Sequence, residues 1–317
     1  MARIVLGVGA SHGPQINIPP EKWYLLQEKD RNDTRIPYQA LLAEADPSLE
    51  ERITLENFRR DYEECHQAIA ILKNTLSEVA PDVILMVGDD QHELFLDDNI
   101  PMFNIFRGES FRAVKKTEGL ADWQKAEIDV TDYSRIYPAH QILADHIIGA
   151  LIAEGFDLSV SHQLRKGEGL GHAFMFLYQR LLDSNLDIPM IPVSINTFYP
   201  PNQATPKRCY QFGQALKRAV ESWSSDLRVA VAFSGGLSHT ILDEELDRTT
   251  LRAMEEKDVE ALCSLPVEKL VNGTSEIRNW IAASGALEGL EMQWKQYLPC
   301  YRTPAGTGCG MGFAYWK

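Results

Sequence analysis

The sequence of 317 residues predicts an α/β fold: a central mixed sheet with helices on both faces, in a single large domain over 1–317 whose C-terminal part is mostly helical. Two observations carry that expectation. Strand-sized apolar runs at 3–8, 82–87, 156–161, 189–195 and 228–233 alternate with helical patterns near 53–79, 139–154, 171–183 and 207–224, the rhythm that lays a sheet between helices. Hydrophobic residues make up 44% of the chain and charged residues 24%, enough apolar surface to build a sizeable core.

The first strand opens directly after Met1-Ala2-Arg3, so no secretory leader precedes Ile4 and a cytoplasmic protein is expected. It ends in Gly9-Ala10-Ser11-His12-Gly13-Pro14, a small-residue turn that presents an imidazole at a strand's carboxyl end, where open α/β sheets place their sites. The stretch from Asn17 to Pro47 is polar, carries Trp23 and Tyr24, and lacks regular periodicity, which predicts a long loop lining a site or contacting a partner. The second strand runs into Gly88-Asp89-Asp90-Gln91-His92-Glu93, a polar cluster dense for a turn after a buried strand. The strand at 228–233 runs into Ser234-Gly235-Gly236-Leu237-Ser238-His239, with Asp243-Glu244-Glu245 following. From Thr249 the pattern is mostly helical as far as the glycine-rich tail, Tyr301 to Gly312.

Composition narrows the function classes. A net charge of −14 with pI near 5.1 argues against a nucleic-acid partner, because neutralising phosphates takes a clustered basic face. The apolar runs fall short of the ~20 residues of a membrane span, so no membrane partner is expected. The five cysteines, Cys65, Cys209, Cys263, Cys300 and Cys309, include no C-x-x-C pair, which indicates neither a disulfide scaffold nor a zinc knuckle and fits a reducing compartment. In that compartment the sequon Asn272-Gly273-Thr274 is a chance match. Gly236-Leu237-Ser238-His239-Thr240 is not a G-x-S-x-G elbow, which disfavours a serine hydrolase.

Histidine and carboxylate converging from three strand-end loops form the kit for a two-histidine, one-carboxylate site holding Fe(II) with open positions. Each residue also has a plainer role. Asp89-Asp90 reads equally as a turn or helix cap, Asp243-Glu244-Glu245 as the acidic first turn of a helix, and His66, His146 and His162 as structural residues beside amphipathic elements.

Taken together, Ser11-His12-Gly13-Pro14, Gly88-Asp89-Asp90-Gln91, Gly169-Leu170-Gly171-His172, Ile191-Pro192-Val193-Ser194-Ile195-Asn196, Gly235-Gly236-Leu237-Ser238-His239 and the glycine-rich aromatic tail resemble, in order, the class III extradiol ring-cleavage dioxygenases, the superfamily of the protocatechuate 4,5-dioxygenase catalytic subunit. The resemblance implies a non-haem Fe(II) cofactor, a catechol-like substrate and insertion of both atoms of O2. By resemblance His12 is the first iron ligand and Glu245 the ligating carboxylate, with Glu244 the runner-up. The second histidine ligand falls at Gln91 without a gap and at His92 with one. Neighbouring side chains of an extended segment point oppositely, so one of the two faces the metal, and ligand chemistry favours His92.

His172 matches the family's acid/base histidine, since an imidazole near neutrality can exchange protons with a catechol. His140 resembles a second pocket histidine, and His239 a pocket-shaping one. For a carboxylated catechol, Arg302 or Lys166, with Arg165 beside it, are the cationic candidates. A hydroxylated pyridine or lignin-derived biaryl is an equal alternative, with Trp23, Tyr24, Phe198 and Tyr199 as an aromatic wall. Relatives associate as homo-oligomers or with a small second subunit. The superfamily also implies a different reading, a non-catalytic protein-interaction module, which Gln91 in a ligand slot would suit.

Overall fold

A computed structural model describes residues 1–114, 118–165, 167–182 and 187–317. Its strands are β1 (Arg3–Ala10), β2 (Val83–Gly88), β3 (Phe103–Phe106), β4 (Ser110–Phe111), β5 (Tyr137–Pro138), β6 (Ser159–Ser161), β7 (Met190–Ile195), β8 (Arg228–Ser234), β9 (His239–Ile241), β10 (Met292–Tyr301) and β11 (Thr307–Trp316). The central mixed sheet runs β10-β11-β1-β8-β2-β7-β3-β6, with β9 on β11, while β4 and β5 pair separately. β1, β8, β2 and β7 are mutually parallel; β11 is antiparallel to β1, and β3 to β7.

Every residue of β2 and β7 is buried, as expected of parallel strands covered on both faces. Alternate side chains divide the core. Ile4, Val83, Leu85, Val87, Val229 and Val231 face the helices Gln141–Ala153, Pro206–Glu221 and Ile277–Ala286. Leu6, Val8, Ile84, Met86, Ala230 and Ala232 face Leu55–Val79 and His172–Leu181. The long helix starts where Thr54 Oγ1 accepts from Asn57 N at 3.2 Å, an ordinary N-cap, and ends at Ala80 in a left-handed conformation. Among the described residues no helix is long and apolar enough to cross a membrane.

Three expectations change. The 17–47 stretch contains the helices Tyr24–Asn32 and Tyr38–Glu44 and a 3-10 turn at Pro20–Lys22. Its apolar anchors are few: Trp23 is buried against Phe58, ring centroids 4.8 Å apart, with Nε1 donating to Ile18 O. So sparse an apolar face leaves little periodicity to read. The C-terminal part is helical at Glu244–Glu256, Val259–Cys263 and Ile277–Ala286, but Met292–Tyr301 is a strand that forms a long hairpin with the glycine-rich tail. The sequence does not announce β3, because three apolar residues interrupted by Asn104 are too few to stand out beside turn signals.

Candidate active site

Because β1, β8 and β2 are adjacent and parallel, the turns after them emerge at one edge of the sheet. Ser11 ties two of them together: its Oγ donates to Gly235 O at 3.2 Å and accepts from Gly312 N at 2.9 Å. Beside it, His12 is held through Nδ1 by Ser234 Oγ at 2.5 Å, which leaves Nε2 3.6 Å from Oε2 of Glu276. Glu276 closes the 3-10 turn Asn272–Glu276, and its side chain is completely buried. Its Oε2 accepts from Gly236 N at 2.6 Å and its Oε1 from Gln91 Nε2 at 2.7 Å.

The second imidazole of the cluster belongs to His239. Its Nε2 lies 3.6 Å from Glu276 Oε1, and its Nδ1 is 3.1 Å from Leu237 O. Two glycines form its slot, since a Cβ on Gly236 would stand 2.2 Å from Nδ1 and one on Gly273 2.1 Å from Cδ2. Asp89 lies behind Gln91 and fully buried; Asn279 Nδ2 donates to its Oδ1 at 3.0 Å and Gln91 Nε2 to its Oδ2 at 3.3 Å.

His172 begins its helix next to this cluster, its ring perpendicular to that of His12 with centroids 4.8 Å apart. Glu93 accepts from the His172 backbone N at 3.0 Å and faces the ring's Nδ1 at 3.0 Å. Gly171 permits that approach, because a Cβ there would lie 2.2 Å from Glu93 Oε2.

The electrostatics follow from burial and from this crowding. Desolvation dominates at His12 and, despite Glu276, holds it down to about 4, so the ring is neutral near pH 7. Burial pushes Glu276 up, but the His12 and His239 imidazoles outweigh it and the carboxyl lies below its ordinary range. Asp89 goes the other way, raised first by burial and then by the Glu276 charge. Burial would lower His172, yet Glu93 more than offsets it and the imidazolium is favoured.

The cluster opens beside a cleft of about 540 Å³ lined by His172, Phe176, Gln179, Arg180, Glu127 and Asn17 among others. Phe176, one turn after His172, has its ring 6.0 Å from that of His12, so one helix face connects cluster and cleft. Burial raises the Glu127 carboxyl to about 7.

Of the residues singled out in the sequence, His12, Asp89, Gln91, His172 and His239 come together; the remaining candidates lie elsewhere. His92, at φ 58°, turns away from its neighbour Gln91 and stacks on Tyr199 at 3.8 Å, its Nε2 3.3 Å from Asp97. Asp90 accepts from Glu93 N, Leu94 N and Phe95 N and so shapes the loop. His140 caps the helix Gln141–Ala153, its Nδ1 accepting from Leu143 N at 3.2 Å.

Glu245 is exposed on the first turn of Glu244–Glu256, whose cap is Asp243, and Glu244 is engaged by Arg52, Arg248 and Tyr301. The acidic triplet therefore answers a helix N-terminus, and Glu276 is the carboxylate beside His12. Arg302 is buried and bonded to Asp30 and Gln15, which removes it as a substrate cation. Arg165 ion-pairs with Asp98 at 3.4 Å, and Lys166 lies outside the described residues.

Sequence reasoning missed Glu276 because it follows no strand. Its available signal is the small-residue run Gly273-Thr274-Ser275 directly before an apolar helix, a run that overlaps the sequon.

Among the described residues no three His, Cys, Asp or Glu side chains already stand as a coordination sphere. The donor chemistry nevertheless suits a divalent cation. A dehydrated carboxylate faces two imidazole Nε2 atoms, each imidazole steadied through its other nitrogen, the arrangement that orients metal-binding histidines.

Comparison with known proteins agrees with this geometry. Residues 54–312 match the family described as the catalytic LigB subunit of aromatic ring-opening dioxygenase. The chain is 36% identical over 107 residues to gallate dioxygenase of Pseudomonas putida, covering 33% of this chain and 30% of that one. It is 28% identical over 173 residues to the 2,3-dihydroxyphenylpropionate/2,3-dihydroxicinnamic acid 1,2-dioxygenase of Comamonas testosteroni, covering 55% and 48%, and 26% identical over 180 residues to an Escherichia coli protein of the same description, covering 56% and 49%. These matches span half or less of the length of the curated relatives. The family match covers most of the chain, from the long helix to the last strand, and the chain belongs to the family of the catalytic LigB subunit of aromatic ring-opening dioxygenase.

Proposed function

We propose that this chain is an extradiol dioxygenase that opens a catechol-type ring with O2, using Fe(II) held by His12, Gln91 and Glu276. The observation that carries the reading is the buried Glu276 carboxylate between the His12 and His239 imidazoles, beside a cleft that His172 lines. When bound, Fe(II) would supply a Lewis-acidic, redox-active centre on which a diol and O2 can meet. Gln91 is a ligand through its side-chain oxygen, since its nitrogen is occupied by Glu276 and Asp89. His172, oriented by Glu93, exchanges protons with the substrate hydroxyls, and His239 does so from the opposite side of Glu276. Phe176 and the cleft wall keep an aromatic ring beside His12.

The substrates named for the relatives, gallate and 2,3-dihydroxyphenylpropionate, set the panel for the test. Anaerobic loading with Fe(II), metal quantification and oxygen uptake with these and with catechol should give about one iron per chain and substrate-dependent O2 consumption. Failure to retain stoichiometric iron would favour the non-catalytic module, a reading for which the Gln91 amide donated to Glu276 speaks.

Two variants assign roles. Gln91→Ala is expected to weaken iron retention by ~10-fold or more while His92→Ala leaves it unchanged, measured as metal-to-protein ratio after desalting. Equal retention in both would remove Gln91 from the site. His172→Phe should keep iron bound and slow ring opening by ~10²-fold or more; normal turnover would give His172 a structural role.

A further inference from the structure

The cleft beside His172 has a distinct far end. On the helix His172–Leu181, residues 172, 176 and 180 follow at spacings of four and so share one face, and His172, Phe176 and Arg180 all line the cleft. From His172 to Arg180 the helix rises about 12 Å.

Arg180 is half-buried, and among the described residues its guanidinium is bonded only to a neutral group, Asn17 Oδ1, at 2.7 Å. Lys125, the other fixed cation among the described lining residues, is taken by Asp122 at 2.8 Å. The remaining charges of the lining are mostly carboxylates: Glu93, Glu127, Asp129 and Glu168. A partly dehydrated guanidinium without a counter-charge is a costly arrangement that an incoming anion relieves. The carboxylates of the walls disfavour such an anion beside them, and the cations His172 and Lys125 are already paired with Glu93 and Asp122.

We propose that Arg180 receives the carboxylate of the substrate, and that this carboxylate sits on a side arm several bonds from the catechol ring. The inference rests on the ring-opening reading and names the substrate class for it. The length follows from the helix: with bonds of about 1.4–1.5 Å, a diol carrying a carboxyl directly on its ring spans roughly half the rise between His172 and Arg180. The side-chain amide nitrogen of Asn17, in the same lining, is a second donor for the same group.

The test is equilibrium binding, under anaerobic conditions, to the Fe(II)-loaded protein. The probes are 3-(3,4-dihydroxyphenyl)propionate, its methyl ester, 3,4-dihydroxybenzoate and catechol. The side-arm acid should bind at least tenfold more tightly than either its ester or the ring acid. Arg180→Gln, which can still donate to Asn17, should erase the acid-over-ester preference without weakening the ester, and Arg180→Lys should restore part of it. An unchanged preference in Arg180→Gln, or a ring acid bound as tightly as the side-arm acid, overturns the assignment. If neither catechol nor any derivative binds the wild-type protein, the ring-opening reading itself falls, a result separable from loss of the carboxylate preference alone.

Discussion

Glu276→Gln is expected to release the metal and to reduce ring opening by more than ~10²-fold, while Glu245→Gln leaves both at wild-type levels. The substitution keeps shape and keeps an oxygen to accept from Gly236 N, now at 2.6 Å. What it removes is a fully buried negative charge lying 3.6 Å from both His12 and His239. The neutral His12 imidazole and two amides are a poor set for a hard divalent cation, which wants at least one anionic oxygen. Stability should not fall in parallel, because a buried carboxylate carries a desolvation cost that the neutral amide avoids. Metal content after anaerobic loading, oxygen uptake and a thermal melt separate these effects. A Glu276→Gln protein that retains iron at the wild-type ratio would remove Glu276 from the ligand set.

The sequence made the sheet legible because β1, β2, β7 and β8 are short apolar runs bounded by turn residues, and covering a sheet on both faces demands that pattern. The same logic led to the turns bearing His12, Gln91 and His239, since parallel neighbours deliver their turns to one edge. It led to the acidic triplet rather than to the carboxylate beside His12 for a physical reason. An acidic run after a turn is indistinguishable, residue by residue, from the acidic first turn of a helix, which is what Asp243-Glu244-Glu245 is. Glu276 arrives from a turn 37 residues beyond His239, a long-range contact that no local spacing announces. Choosing between Gln91 and His92 likewise needed the backbone, because the positive φ at His92 sends the two side chains to different neighbours. Ligand chemistry favoured His92 when read from the sequence, yet Gln91 is the one beside Glu276.

Arg302→Met should destabilise the fold by about 3–5 kcal/mol, because it takes the guanidinium from a buried carboxylate and leaves Lys29 as its remaining cation. Asp30 is fully buried, and its carboxylate bonds Arg302 through both Nε and Nη2. The same guanidinium reaches Gln15 Oε1 at 3.1 Å, Gln15 Nε2 donates to Cys300 O at 2.8 Å, and Gln27 Nε2 donates to Arg302 O at 2.8 Å. Arg302 thus fastens the segment after His12, and the helix Tyr24–Asn32, to the β10–β11 hairpin. The pH dependence supplies an internal check. Burial pushes the Asp30 carboxyl up, but Arg302 outweighs it and the net shift is downward. A carboxyl lowered in the folded state stabilises fully above its unfolded pKa, and that contribution is lost as pH falls through the folded value. Without Arg302 the burial of Asp30 is opposed only by Lys29, 3.1 Å from its Oδ1, and by Thr307, so the carboxyl rises, and the deficit of Arg302→Met is greatest near neutral pH and shrinks as acid protonates Asp30. Urea unfolding at pH 7 and pH 4 measures both. Adding Asp30→Asn to Arg302→Met should restore most of the lost stability, since a neutral amide needs no counter-ion, whereas a merely packing role for Arg302 would leave the double variant as weak as the single one. The acid-over-ester preference assigned to Arg180 should survive Arg302→Met, because one guanidinium is consumed within the fold and the other faces the cleft.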